Sequence, residues 1–97
     1  MGHSKYQQKV AGPLNPLGYQ KISSVATATG LTVPEGATLA LIIAEGGSVR
    51  WRDDGTDPIS TDGMLLTEEL DFMYIGDLDA IKFIDAGSTA TLHVAYY

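Results

Sequence analysis

Turn-forming residues interrupt this 97-residue chain about every ten positions, and this spacing limits the fold more than any other feature of the sequence. Between the turns lie short stretches that are rich in β-branched and aromatic residues. About seven short strands separated by Gly, Pro and Asp are typical of an antiparallel β-sandwich or a small barrel. The sequence therefore predicts an all-β fold built from antiparallel sheets.

The predicted strands lie between these turns, over about residues 20–26, 38–44, 49–52, 64–66, 70–75, 78–84 and 89–97. The stretch 38–44 is apolar on both faces, which predicts a strand that is buried on both sides. Gly46 and Gly47 follow it directly. A two-glycine turn is a strong hairpin signal, so this strand is expected to pair with the next one, which carries Trp51.

Charge divides the chain into two parts. Residues 1–21 carry three lysines and no acid, whereas residues 22–97 carry three basic residues against all twelve acids, a net charge of −9. An acidic body disfavours nucleic acid as a partner of the folded domain. Prolines and glycines around Leu14 and Leu17 exclude a regular helix near the start. We therefore predict an extended N-terminal arm over residues 1–18 and a β-sandwich domain over residues 19–97.

The arm can be interpreted in two ways. It could lie across the acidic surface of a neighbouring subunit, with Leu14 and Leu17 as the candidate docking residues, or it could be a solvated tail. The longest apolar run of the chain, residues 39–44, is far shorter than the roughly 18 residues that span a bilayer, and no signal-peptide pattern opens the chain. No membrane association is expected.

The only Trp of the chain stands where a strand-like alternation runs into a turn. Val49 and Trp51 are expected on one side of this strand, and Arg50 and Arg52 on the other. Asp and Gly residues at positions 53–55 then end the strand. Trp51 is predicted to be a core anchor. Arg50 and Arg52 are either candidate interface residues or partners of nearby acids.

Neither His93 nor the acidic residues predict catalysis or metal binding. His93 lies alone in the last predicted strand, and nothing in the sequence links it to a nucleophile. Asp53, Asp54, Asp57 and Asp62 share one loop, but their spacing differs from that of a calcium loop, so turn capping and pairing with arginine are favoured. The chain also has no Cys. We expect no enzymatic activity, no cofactor and no metal site.

Part of the sequence resembles small virion-associated structural proteins of tailed bacteriophages. The resemblance covers about residues 37–97 and is carried by Val49-Arg50-Trp51-Arg52-Asp53-Asp54-Gly55-Thr56-Asp57-Pro58, Gly63-Met64-Leu65-Leu66, Phe83-Ile84-Asp85-Ala86-Gly87 and Leu92-His93-Val94-Ala95-Tyr96-Tyr97. Ile59 and Asp62 depart from the Thr and the small residues expected around the loop.

The resemblance implies a jelly-roll-like sandwich that assembles on a capsid or tail, often as a trimer, and no enzyme activity. The expected function is that of a capsid-decorating, cementing or head-tail associated subunit. Its partners would be copies of itself and other virion proteins, in a virion assembled in the host cytoplasm. The alternative hypothesis is a carbohydrate- or receptor-binding module in which Trp51, with Tyr74 or Tyr96, contacts the ligand.

Overall fold

The computed structural model describes residues 14–97. These residues form eight strands and no helix, so no helix in this part of the chain could cross a membrane. Every strand pair is antiparallel. The predicted all-β antiparallel sandwich is therefore confirmed. The strands are β1 (Gly18–Ile22), β2 (Thr29–Gly30), β3 (Ala40–Glu45), β4 (Val49–Arg52), β5 (Met64–Leu66), β6 (Phe72–Tyr74), β7 (Lys82–Asp85) and β8 (Thr91–Tyr96).

The strands form two four-stranded sheets. Sheet 1 has the order β1-β8-β3-β6, and sheet 2 has the order β2-β7-β4-β5. Strand β1 pairs with β8, β2 with β7, β3 with β6 and β4 with β5, as if the chain were one long hairpin with its tip between β4 and β5. The additional pairs β3–β8 and β4–β7 complete the sheets. This wiring brings both ends of the described chain into sheet 1.

The core lies between the two sheets and follows the period of two that a half-buried strand requires. In β8, Leu92, Val94 and Tyr96 are buried, as the alternation of the sequence predicts. Phe83 on β7 of sheet 2 and Ile42 on β3 of sheet 1 are also buried in this core. Burying each such side chain contributes about 1.5–3 kcal/mol, so the alternation holds the sheets together.

The predicted hairpin at Gly46-Gly47 is wrong. Strand β3 pairs with β8 and β6, whereas β4 pairs with β7 and β5, so the two glycines carry the chain from one sheet to the other. Gly46 has φ 87°. A Cβ on Gly47 would lie 2.9 Å from the carbonyl oxygen of Ser88. The glycines are thus needed for a tight crossover, and local sequence does not distinguish this crossover from a hairpin turn.

Some strand limits also differ from those predicted. Strand β1 ends at Ile22, and Val25 beyond it is buried and accepts a hydrogen bond from the Asp85 amide through its carbonyl. Strand β7 begins only at Lys82, because the preceding residues form a turn in which the Asp77 carbonyl accepts the Ala80 amide at 3.0 Å. Most of the predicted arm, residues 1–13, lies outside the described residues.

Candidate functional site

The three basic residues of the acidic body all lie on the outer face of sheet 2 and all contact one loop. Arg50 and Arg52 lie on β4, and Lys82 lies beside Arg52 on β7. The loop is the β4–β5 connection, residues 53–63. It folds back over the outer face of the sheet. All three cations therefore contact the chain's own loop.

Arg50 binds the returning half of the loop. Its Nε donates to the carbonyl of Ser60 at 3.2 Å, and its Nη1 donates to the carbonyl of Gly63 at 3.0 Å. Between these contacts, Ile59 and Asp62 exchange two backbone hydrogen bonds of 3.0 Å. The two positions that depart from the phage-like loop pattern thus form the narrow reversal that Arg50 holds in place.

Arg52 binds the first half of the loop through a two-pronged contact with Asp54. Nε and Nη2 donate to the two carboxylate oxygens at 3.1 and 2.5 Å, and Asp62 lies 3.7 Å from Nη1. The hydrogen bond from Arg52 lowers the pKa of Asp54 to about 2, and the same contact raises the pKa of Arg52. Asp54 also accepts the Thr56 amide at 3.3 Å, which is the predicted turn-setting contact.

Asp53 contributes differently from its neighbour, because it links the loop to the core. It accepts a hydrogen bond of 2.5 Å from the hydroxyl of Tyr74 on β6. Burial and this carboxylate raise the pKa of Tyr74 to about 12. Lys82 contacts Asp57 at 3.1 Å in an exposed ion pair, which contributes little to stability.

Trp51 lies at the margin of the core, where it lines an open groove. Its ring stacks on Phe72 with centroids 5.2 Å apart and meets the edge of Tyr74 at 5.8 Å. The predicted core anchor therefore packs against the core and joins the two sheets, but it is only half-buried. The groove has a volume of about 580 Å³ and is lined by Trp51, Arg52, Asp53, Asp54, Asp62, Gly63 and Met64.

Gly63 lies where the loop returns to β5, beside this groove. Its φ is 144°, in the region that favours glycine. A Cβ at this position would lie 3.1 Å from the carbonyl oxygen of Trp51. The sequence places Gly63 in the loop, but no local pattern shows that this glycine also lines the groove beside Trp51.

His93 lies away from the groove, on the outer face of sheet 1. Its Nδ1 is 2.6 Å from the hydroxyl of Tyr19, and its Nε2 is 2.7 Å from Oε1 of Glu45. The three side chains come from β1, β8 and β3. Neither Tyr19 nor Glu45 was predicted as a partner, because only the sheet order brings these distant positions together.

The two leucines predicted to dock the arm lie at the start of the described chain. Leu14 and Leu17 are 38% and 42% exposed. They line a shallow depression of about 410 Å³ together with Leu39 and Tyr97. The Leu17 amide donates to the Tyr96 carbonyl at 2.9 Å, so the chain enters sheet 1 at this point.

Within residues 14–97, no group of three or more His, Asp or Glu side chains converges on a position that could hold a metal ion. The groove is lined by one aromatic ring, three carboxylates and the guanidinium that Arg52 pairs with Asp54. No family model, no curated protein and no solved structure matches the chain.

Proposed function

We propose that this chain is a non-enzymatic structural subunit of a tailed-bacteriophage virion, a capsid-decorating, cementing or head-tail associated protein. It acts by assembling with copies of itself and with other virion proteins. The proposal rests on the resemblance of residues 37–97 together with the wiring of the strands. Assembly requires only complementary surfaces, so the proposal needs no catalytic group.

The strand pairing is the observation that supports this proposal best. The strand order of the two four-stranded sheets supports a jelly-roll plan, which is used by viral capsid domains and also by lectin domains. We infer a jelly roll from the paired order β1–β8, β2–β7, β3–β6 and β4–β5.

The arm supplies the second part of the proposed mechanism. Residues 1–13 include Lys5 and Lys9 and no acid, whereas the body is strongly acidic. Leu14 and Leu17, where the described chain begins, are partly exposed beside Leu39. An arm of this charge can be attracted to the body of a neighbouring subunit, as in the trimer that the resemblance implies.

The test is to purify particles of the phage that encodes this chain and to quantify the chain in them by mass spectrometry. We expect a fixed copy number per particle that survives a density gradient. A phage lacking residues 1–13 of the chain should yield particles with much less of it, although the shortened protein still folds. Absence of the full-length chain from gradient-purified particles would contradict the proposal.

The Trp51 groove favours one second candidate function, a carbohydrate-binding module. A half-buried Trp beside Asp53, Asp54 and Asp62 offers a ring for stacking and carboxylates for hydroxyl groups. Tyr74 and Tyr96 are buried, so of the three aromatic residues first considered only Trp51 is available to a ligand. A glycan array followed by titration of Trp51 fluorescence tests this candidate. Equal glycan binding by wild type and Trp51→Ala would exclude the groove as the site.

A further inference from the structure

Two neighbouring register rows on the outer face of sheet 1 are apolar across all four strands. One register row runs from edge to edge through Tyr19, Ala95, Leu41 and Met73. A second row continues the register through Leu17, Tyr97, Leu39 and Ile75, and in it Tyr97 and Leu39 exchange backbone hydrogen bonds of 3.0 and 3.1 Å. Tyr19 and Met73 at the two margins are 63% and 49% exposed. We call these two rows, together with a third row formed by Lys21, His93, Ile43 and Asp71, the apolar face.

The third row carries Lys21, His93 and Asp71, and Glu45, which lies one row beyond it, contacts His93 at 2.7 Å. Lys21 lies beside His93, and His93 beside Ile43. Asp71 directly precedes β6 and continues the same register next to Ile43, because Ile42 pairs with Phe72. The row therefore has a cation at the β1 margin and an anion at the β6 margin, and both residues are exposed.

The size of the face is that of an interaction surface. The twelve positions, spaced about 4.8 Å between strands and about 6.8 Å along them, cover roughly 400 Å² of projected area, and the nine apolar ones cover roughly 300 Å². The largest exposed apolar patch of a monomeric protein is typically about 300–600 Å² and is often functional, and the apolar positions of this face reach that range. The outer face of sheet 2 offers no equivalent, because Arg50, Arg52 and Lys82 hold the chain's own loop over it.

We propose that the apolar face binds the same face of a second copy of this chain, related by a twofold axis parallel to the strands. Such an axis places β1 over β6 of the second copy and β8 over its β3, and it keeps the rows level. Lys21 then faces Asp71 of the second copy, and Tyr19 faces its Met73. The charge pattern is thus self-complementary, as a twofold interface requires.

A twofold axis perpendicular to the strands gives a poorer match. It would place each strand over its own copy and reverse the order of the rows, so that the middle row would face itself, Lys21 would face Leu17 of the second copy and Asp71 would face Ile75. Both charges would then be buried without a partner, which is costly. The charge pattern therefore selects the axis as well as the partner.

The apolar face is a surface through which the proposed self-assembly can occur. Its biological purpose rests on the proposed function, but the contact between two copies does not. The isolated protein should therefore contain two subunits, or six if trimer contacts form elsewhere. Multi-angle light scattering over a wide range of protein concentrations measures this number directly. A mass of one or three subunits at the highest concentration would overturn the proposal, whether or not the chain is present in virions.

Charge reversal gives the sharper test. Lys21→Glu places two acids opposite each other, and Asp71→Lys places two lysines opposite each other. Each change should raise the dissociation constant about tenfold or more. The combined variant K21E/D71K restores opposite charges, so its dissociation constant should return to within about threefold of wild type, a recovery that two merely structural residues would not give.

Two further variants complete the design. Leu41→Lys buries a charge at the centre of the apolar face and should abolish the two-subunit contact. Ser60→Lys places the same charge in the loop over sheet 2 and should leave it unchanged. If the single reversals leave the subunit number unaffected, or if the K21E/D71K variant is no better than either of them, the second copy does not bind as proposed.

Discussion

Two buried tyrosines should make the stability of this domain fall steeply in alkali. Tyr74 and Tyr96 are only 6% and 1% exposed. Tyr74 donates to Asp53 at 2.5 Å, and Tyr96 donates to Oε1 of Gln20 at 2.6 Å. Burial raises the pKa of each phenol from 10.0 to about 12, and for Tyr74 the nearby Asp53 carboxylate adds to the shift.

The size of the effect follows from these pKa values. A folded-state pKa above the unfolded value means that the stabilisation is complete below about pH 10 and is lost as the pH rises toward about 12. At about pH 11 the ionisation of each tyrosine should have lowered the free energy of unfolding by about 1.4 kcal/mol, so the two together lower it by about 3 kcal/mol. A domain of this length has a total stability of about 5–15 kcal/mol, so the loss is a large fraction.

Urea unfolding at several pH values, followed by far-ultraviolet circular dichroism, measures this loss. Because the free energy of unfolding changes by about 1–3 kcal/mol per molar urea, the midpoint should fall by roughly 1–3 M between about pH 8 and about pH 11. Tyr74→Phe and Tyr96→Phe should each remove about half of this fall. The matched control is Ile42→Val, which lowers stability by about 0.5–1.5 kcal/mol but leaves both phenols in place.

A midpoint that stays flat up to about pH 11 would contradict the assignment of this loss to the two phenols. The assignment also fails if the variant with both tyrosines replaced by phenylalanine keeps the full pH dependence, since the titrating groups would then lie elsewhere. A fall that Ile42→Val alters as much as Tyr74→Phe does would likewise show that general destabilisation, and not phenol ionisation, sets the slope.

Two further predictions concern the loop and the crossover. Arg50→Met removes the hydrogen bonds to the carbonyls of Ser60 and Gly63, so it should lower stability by about 1–2 kcal/mol and speed proteolysis within residues 53–63. The control Lys82→Met removes only an exposed ion pair and should lower stability by less than about 1 kcal/mol. Equal proteolysis rates for the two variants would contradict the anchoring role of Arg50. Gly47→Ala brings a Cβ to 2.9 Å from the Ser88 carbonyl and should lower the free energy of unfolding, measured by urea titration, by about 1–3 kcal/mol, whereas Gly30→Ala, with its nearest atom at 3.8 Å, should have a smaller effect.

The fold class could be read from the sequence because strand alternation and turn residues are local signals. The alternation of Leu92, Val94 and Tyr96 identified the buried face of β8 correctly. The pairing of strands is not local, and the error at Gly46-Gly47 shows why: two glycines permit a hairpin and a crossover equally well. Which of these forms depends on the partners of β3, because Ile42 pairs with Phe72 on β6 and Val94 on β8, 30 and 52 positions further along the chain.

The candidate site was predictable only in part, for a similar reason. The turn at Asp54 and its contact with Arg52 join residues two positions apart, and sequence spacing suggested both. The contacts of His93 with Tyr19 and Glu45 span 74 and 48 positions. Such contacts follow from the order of strands in sheet 1, which no spacing in the sequence encodes.

Strand β3 connects the sequence to the proposed interface. Its residues are apolar on both faces, which predicted burial on both sides, yet the single chain buries fully only Ala40, Ile42 and Ala44. Leu41 and Ile43 remain half-buried on the outer face. A solvated antiparallel sheet normally alternates apolar and polar residues, so this departure needs a cause. A second copy over the outer face supplies one, because the two-sided pattern of β3 is then the pattern of a strand buried in the assembly.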